Sequence, residues 1–147
     1  TTPLRDPFGV AVKQASWFVD ERDKHTIGSG RPQHHMLRNV YVSNSQRDLD
    51  EKAEMLLQNH RRFINLFETE GTIDKGMTRP LDVDMEPHEA AENVIIGTPQ
   101  QVLERIQLHA GMGVDGLQMN MSFGASHADI MRSLELFASE VMPEIES

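Results

Sequence analysis

The chain has 147 residues, no cysteine and a formal net charge of −9, from 14 basic and 23 acidic residues. That length is enough for one domain with a hydrophobic core, and the missing cysteines exclude disulfides and thiolate chemistry. The acidic balance argues against nucleic acid or an anionic membrane as a partner, because both require clustered Lys and Arg. No apolar stretch approaches the roughly 20 residues of a membrane span, and no basic-then-apolar leader opens the chain, so we expect a soluble, cytoplasmic protein.

The first half of the chain is predicted to contain two helices, one strand and a long loop. We expect a short helix over 11–23, with the lone tryptophan of the chain in the core. A run of β-branched and aromatic residues predicts a strand over 36–43. Leucines and phenylalanines at helical spacing predict a long helix from an N-cap at Asp48 to a stop at Gly71. Residues 72–92 lack periodicity and contain two prolines, which predicts a long mobile loop with room for one helical turn after its second proline.

The last third of the chain alternates strands and helices. Strands are expected over 93–97 and 114–122, and each leads into an amphipathic helix, over 98–113 and 126–145. Repeated strand–helix units predict an α/β fold in which helices cover a parallel sheet.

The segment Gly97-Thr98-Pro99 lies where the strand predicted over 93–97 meets the helix predicted over 98–113. It has two interpretations. The free N–H groups at a helix N-terminus can hold a phosphate, which would make this turn a ligand site. Alternatively, Thr98 is an N-cap, Pro99 takes the first helical position and Gln101 completes a capping box. The second interpretation is favoured, because the caps already occupy the N–H groups that a phosphate would need.

Three blocks of the sequence, in order, resemble the bacterial luciferase-like, flavin-dependent monooxygenases. Gly97-Thr98-Pro99 leads into an amphipathic helix, Gly113-Val114 opens the next strand, and the last helix ends in Leu-Phe and Val-Met-Pro over 136–143. Residues 37–54 also resemble the strand and acidic helix that precede these blocks in the family. The resemblance is good over 93–145 and weaker before it.

The resemblance implies a (β/α)8 barrel that binds FMN or the deazaflavin F420 and oxidises a small organic substrate, often with molecular oxygen. A complete barrel needs roughly 250 residues, so the predicted fold is α/β, a partial (β/α)8 TIM barrel with only the C-terminal βα units, over residues 1–147. The predicted function is that of a flavin-dependent oxidoreductase or monooxygenase, and whether the chain alone is active stays open. The alternative is a non-catalytic partial barrel that binds flavin or a partner. Exposed sheet edges favour a homo-oligomer or a partner subunit.

Four residues are candidates for cofactor binding, whereas no catalytic residue is assigned. Arg38 could contact a flavin phosphate or an anionic substrate, although an exposed arginine at a strand start is an equal alternative. Gln118, Asn120 and Ser122 alternate with apolar residues, so they share one face of the last strand and could meet a ligand inside a barrel. The alternative is a row of hydrogen-bonded core amides or outward-facing polar groups. The acidic segment 82–88 lacks the glycine and spacing of a calcium loop, so no metal is predicted.

Overall fold

The structure is a computed structural model that describes residues 6–25, 30–67 and 71–145. Helices and strands follow one another in this order: α1 (Phe8–Lys24), β1 (His35–Val42), α2 (Gln46–Asn65), β2 (Ile73–Asp74), β3 (Met77–Thr78), α3 (Pro87–Glu92), β4 (Ile95–Gly97), α4 (Pro99–Gly111), β5 (Gly116–Asn120), α5 (His127–Leu136), a π-helical turn (Phe137–Val141) and α6 (Met142–Ile145). In the described part of the chain, no helix combines the length and apolar character that crossing a membrane requires.

Strand β1 lies at the centre of a three-stranded parallel sheet. Its last residues, Val40–Val42, pair with β4, and its first residues, His35–Asn39, pair with β5. The strand order is therefore β4-β1-β5. The predicted α/β class with a parallel sheet is confirmed.

Helices cover both faces of this sheet. Val40 and Val42 pack in one cluster with residues of α4 and of the π-helical turn. Tyr41 points to the opposite face, because successive side chains alternate along a strand, and it packs in a second cluster with Leu49, Leu56 and other residues of α2 and α3. The core thus has two layers, one on each side of the sheet.

This arrangement differs in two respects from consecutive units of a (β/α)8 barrel. A barrel keeps its strands in chain order and all its helices outside, so β4 would lie between β1 and β5. Here β1 lies between them, and α2 with α3 cover the face opposite to α4, whereas a barrel leaves one face of its sheet free of helices. The physical reason is the apolar stripe of α2, which is buried against that face. A partial TIM barrel is not shown by this arrangement.

Residues 72–92 contain more regular structure than the loop predicted from sequence. Strands β2 and β3 form an antiparallel hairpin, and both residues of its turn, Lys75 and Gly76, have positive φ, as type I′ hairpin turns require. The helical turn expected after Pro87 is present as α3, with a capping box between Glu86 and Glu89. The mobility of the segment stays a prediction.

Helix α1 packs on the sheet through small residues. Ala11 and Ala15 are fully buried against Met36 and Val114. Trp17 is 65% exposed, so the expectation that it lies in the core is wrong. Alanine allows the helix to approach the sheet closely, and the large indole faces away from that contact.

Candidate functional site

A cleft of about 360 Å³ lies between the C-terminal half of α2 and the sheet. The β2–β3 hairpin and the residues that join α3 to β4 border its other sides. Its volume is at the lower end of the range found for ligand pockets, roughly 300–1,000 Å³. Four amide side chains line it, from Asn39, Asn59, Asn93 and Asn120.

Two of these amides form the floor of the cleft. Asn39 on β1 and Asn120 on β5 are register partners, and the Nδ2 of Asn120 donates to the Oδ1 of Asn39 at 2.9 Å. The hydroxyl of Ser122 donates to the Oδ1 of Asn120 at 3.2 Å. Within the described residues, the Nδ2 of Asn39 donates to no protein group. The floor therefore combines a fixed amide pair with N–H donors that a ligand can use.

The walls of the cleft are mostly apolar. Leu56 and Phe63 come from α2, Val94 precedes β4, and Phe123 follows β5. Asn59 fixes one wall, because its Nδ2 donates to the main-chain carbonyl of Phe123. The result is an apolar slot with hydrogen-bonding groups at its base, which is the usual composition of a small-molecule site.

The hairpin beside the cleft is held by a buried amide that the sequence analysis did not identify. Asn65 is 2% exposed at the end of α2, and its Nδ2 donates to the carbonyls of Thr72 at 3.2 Å and Arg79 at 2.7 Å. The hydroxyl of Thr78 donates to the carbonyl of Arg62 at 3.1 Å. A polar residue on the inward face of an amphipathic helix was the signal that could have indicated this role.

The cleft also has cationic character. The guanidinium-bearing side chain of Arg62 lines it and takes part in none of the salt bridges formed within the described residues. An arginine of this kind can pair with a phosphate or a carboxylate on a ligand.

The predicted site residues do not all meet in this cleft. Asn120 lines it, and Ser122 is exposed and reaches it through Asn120. Gln118 is exposed and lies outside the residues that line the cleft. The row on β5 thus divides between a hydrogen-bonded amide and outward-facing polar groups.

Arg38 lies apart from these three residues. It is 1% exposed, so the alternative of an exposed arginine is wrong. Its Nε donates to the Nε2 of His109 at 3.2 Å, and its NH1 donates to the carbonyls of Asp6 at 2.9 Å and Asn93 at 3.3 Å. Burial lowers the pKa of Arg38, and the charge of Asp6 opposes that shift. Arg38 faces the opposite side of β1 from Asn39, because the two are adjacent on the strand.

A network of paired charges lies at the carboxyl end of β1, where α/β proteins often bind ligands. The Nζ of buried Lys52 lies 2.8 Å from Asp48 and 3.1 Å from Asp129, and the hydroxyl of Tyr41 donates to Asp48 at 2.9 Å. Burial, followed by the hydrogen bond to Asp48, raises the pKa of Tyr41 to about 12. Tyr41 is therefore neutral near pH 7. The network joins α2 to α5, and its groups are already occupied by one another.

The turn at Gly97-Thr98-Pro99 is a helix start, as favoured from the sequence. The hydroxyl of Thr98 accepts from the N–H of Gln101, and the Oε1 of Gln101 accepts from the N–H of Thr98 at 2.9 Å. A Cβ at position 97 would lie 2.6 Å from that Oε1, so the capping box requires glycine there. These bonds occupy the groups that a phosphate would need.

Comparison with known proteins shows a distant relative. The chain is 29% identical over 120 residues to the oxygenase component of a flavin-dependent trigonelline monooxygenase from Acinetobacter baylyi (strain ATCC 33305 / BD413 / ADP1). The match covers 77% of this chain and 33% of the relative, so the chain spans about a third of the length of that protein. No family model matches the chain. The similarity supports a relationship to flavin-dependent monooxygenases, without showing the luciferase-like family.

Proposed function

We propose that the chain is part of the oxygenase component of a flavin-dependent monooxygenase and that the cleft above Asn39 and Asn120 holds the flavin ring. The observation that carries the proposal is the amide floor beneath apolar walls. The similarity to a flavin-dependent oxygenase component supports the same function.

The chemistry of the cleft fits a flavin. One edge of the flavin ring alternates carbonyl and N–H groups, and amide side chains supply both acceptors and donors to such an edge. The Nδ2 of Asn39 and the second N–H of Asn120 are available to ring carbonyls. Phe63 and Phe123 offer aromatic surface to a flat ring. Arg62 can pair with the phosphate of FMN or of F420.

The role of this chain in the reaction is to bind, orient and shield. A bound reduced flavin supplies the electrons for oxygen activation. The residues of the cleft would hold its ring, and the hairpin fixed by Asn65 would exclude water from one side. The substrate is proposed to be a small organic molecule, with oxygen as the second substrate and a reductase or a second copy of the chain as partner.

The proposal includes membership of the luciferase-like family and a (β/α)8 barrel formed in a longer protein. They rest on the three sequence blocks over 93–145. A barrel would place β4 between β1 and β5, whereas β1 lies between them in this structure, so the barrel requires a different strand pairing, which an engineered disulfide between β1 and β5 tests. The alternative of a non-catalytic domain that only binds flavin is favoured by no observation on the chain.

Titration of the purified chain with FMN and with F420, followed by flavin fluorescence, tests the proposal. Asn120→Leu is expected to weaken flavin binding about tenfold, because it removes the amide that is fixed to Asn39. Gln118→Leu is the matched control on the same strand and the same face, outside the cleft, and is expected to bind flavin unchanged.

Two results would contradict the proposal. If neither flavin binds to the folded wild-type chain, the chain does not hold a flavin. If Gln118→Leu weakens binding as much as Asn120→Leu does, the flavin lies elsewhere.

A further inference from the structure

A second, smaller cavity of about 200 Å³ lies on the other side of β1, between the start of α1 and the outer part of α4. Phe8, Val94 and Leu108 give it apolar walls. Arg38, Arg105 and His109 bring nitrogen-bearing groups to it. Neither the proposed flavin function nor the cleft uses this cavity.

Arg105 is the residue best placed to meet a ligand there. Its NH1 donates to the carbonyl of Glu92 at 2.9 Å and to that of Val94. Its Nε and its other terminal nitrogen donate to no group among the described residues, and neither atom is sealed from solvent. Three N–H donors of a half-buried guanidinium are therefore left for a ligand.

His109 adds no positive charge to that of the two arginines. Its Nδ1 lies 2.6 Å from the carbonyl of Arg105, so this nitrogen carries the proton and the Nε2 accepts from Arg38. Burial lowers the pKa of His109, the hydrogen bond to the carbonyl of Arg105 opposes that shift, and the charges of Arg38 and Arg105 add to it. The imidazole is consequently neutral and fixed in one tautomer.

Two carboxylates act on the arginines, and one of them belongs to Glu92, which also lines the cavity. The carboxylate of Asp6 acts on Arg38, and that of Glu92 acts on Arg105. Among the described residues, Arg105 forms no salt bridge, and its hydrogen bond to Glu92 is made with the main-chain carbonyl. A cation in this position, partly withdrawn from water, attracts an anion more strongly than an exposed one does.

We propose that this cavity binds a small organic carboxylate, with Arg105 as its principal contact. A guanidinium presents a planar fork that matches a carboxylate, with two parallel hydrogen bonds. Phe8 and Leu108 would contact the apolar part of the ligand. The volume equals that of about seven water molecules at roughly 30 Å³ each, which suits a single-ring carboxylate and excludes a nucleotide.

Titration of the ¹⁵N-labelled chain with sodium benzoate tests this site. The Nε–H signal of Arg105 is expected to shift saturably, while benzamide, the neutral analogue, and inorganic phosphate bind at least tenfold more weakly. Arg105→Gln is expected to weaken benzoate binding at least tenfold. Arg47→Gln is the matched control, because Arg47 is 89% exposed on α2, and it is expected to bind benzoate as the wild type does.

A cavity-filling variant keeps the test informative if Arg105→Gln does not fold. Leu108→Trp retains both arginines and is expected to block benzoate. The proposal is overturned if the folded wild-type chain shows no saturable shift at millimolar benzoate, or if benzamide or phosphate binds as tightly. It is also overturned if folded Arg105→Gln or Leu108→Trp binds benzoate as the wild type does.

Discussion

Single buried polar residues join separate elements of this protein. Ser133 of α5 is 1% exposed, and its hydroxyl accepts from the N–H of Val42 at 2.8 Å. Asn65 holds both arms of the segment that carries the hairpin. Lys52 connects α2 to α5 through two carboxylates. Each contact satisfies a group whose burial would otherwise cost free energy.

The network around Lys52 makes the free energy of unfolding decrease at alkaline pH. Burial alone would lower the pKa of Lys52, but hydrogen bonds with Asp48 and Asp129 raise it above its usual value. Burial and Asp48 raise the pKa of Tyr41 to about 12. Both groups hold their protons more tightly in the folded state, so their contribution is full below the unfolded values near pH 10 and is lost as the pH rises through the folded values.

We therefore expect the free energy of unfolding to fall between about pH 9 and pH 11, with Tyr41 contributing about 1 kcal/mol of the loss. Urea unfolding at the two pH values measures it. Tyr41→Phe is expected to have a smaller loss over this range, whereas Lys13→Met, at an exposed position of α1, is expected to keep the full loss. An identical loss in Tyr41→Phe and the wild type would show that the tyrosine does not contribute.

The helix ends show how local signals act at the scale of an element. Helix α2 begins at Gln46 with Ser45 as N-cap, whose hydroxyl accepts from the N–H of Asp48. The predicted N-cap at Asp48 is therefore wrong by one turn, because the Asp48 carboxylate binds Tyr41 and Lys52 instead. The helix ends at Asn65, before the predicted stop at Gly71.

Helix α4 begins with a complete capping box, and its cap can be removed by one substitution. Thr98→Ala is expected to destabilise the protein by about 1 kcal/mol, because the N–H of Gln101 loses its acceptor. Thr98→Ser keeps a hydroxyl and is expected to retain most of the stability. Urea unfolding of the three proteins checks both values, and equal losses in the two variants would assign the effect to the methyl group rather than to the cap.

The last helix departs from the single continuous helix that its periodicity predicts. Between α5 and α6 the chain forms a π-helical turn over Phe137–Val141. Pro143 lies just after this turn, and a proline lacks an N–H and crowds the carbonyl four residues before it. The wider π turn accommodates that missing bond, as such turns do within helices.

At the scale of the whole molecule, the strand order decides the architecture. The sheet is open, with β1 in the centre. Together with the helices on its two faces it forms three layers. The cleft above Asn39 and Asn120 and the smaller cavity beside Arg105 lie on opposite sides of β1, so both depend on the central position of this strand. A different neighbour for β5 would separate Asn120 from Asn39.

A pair of engineered cysteines tests the strand order, and the chain has no native cysteine to interfere. Leu37 and Gln118 are register partners on β1 and β5, so Leu37→Cys with Gln118→Cys is expected to form a disulfide under mild oxidation. Leu37→Cys with Ser122→Cys is the offset control and is expected to remain reduced. If β4 lay between the two strands, their separation would be about 10 Å and the first pair would also remain reduced.

The sequence by itself determined the α/β class of the fold and the existence of its main helices and parallel strands. The caps of α4, the parallel strand–helix alternation and the helical turn after Pro87 depend on residues within a few positions of one another, so local patterns predict them. Residue types also indicated Asn120 as a ligand-facing position, and its role in binding stays a prediction.

Only the tertiary structure decided the neighbours of each strand and the surroundings of the polar residues. Asn39 and Asn120 are 81 positions apart, and Arg38 and His109 are 71 apart, so no local pattern brings them together. By its local sequence, β5 could pair with β1 or with β4. The pairing depends on which apolar helix faces become buried against the sheet. That choice buried Arg38, left Gln118 exposed and brought the amides of the cleft together, because packing between distant segments, rather than local preference, fixes burial.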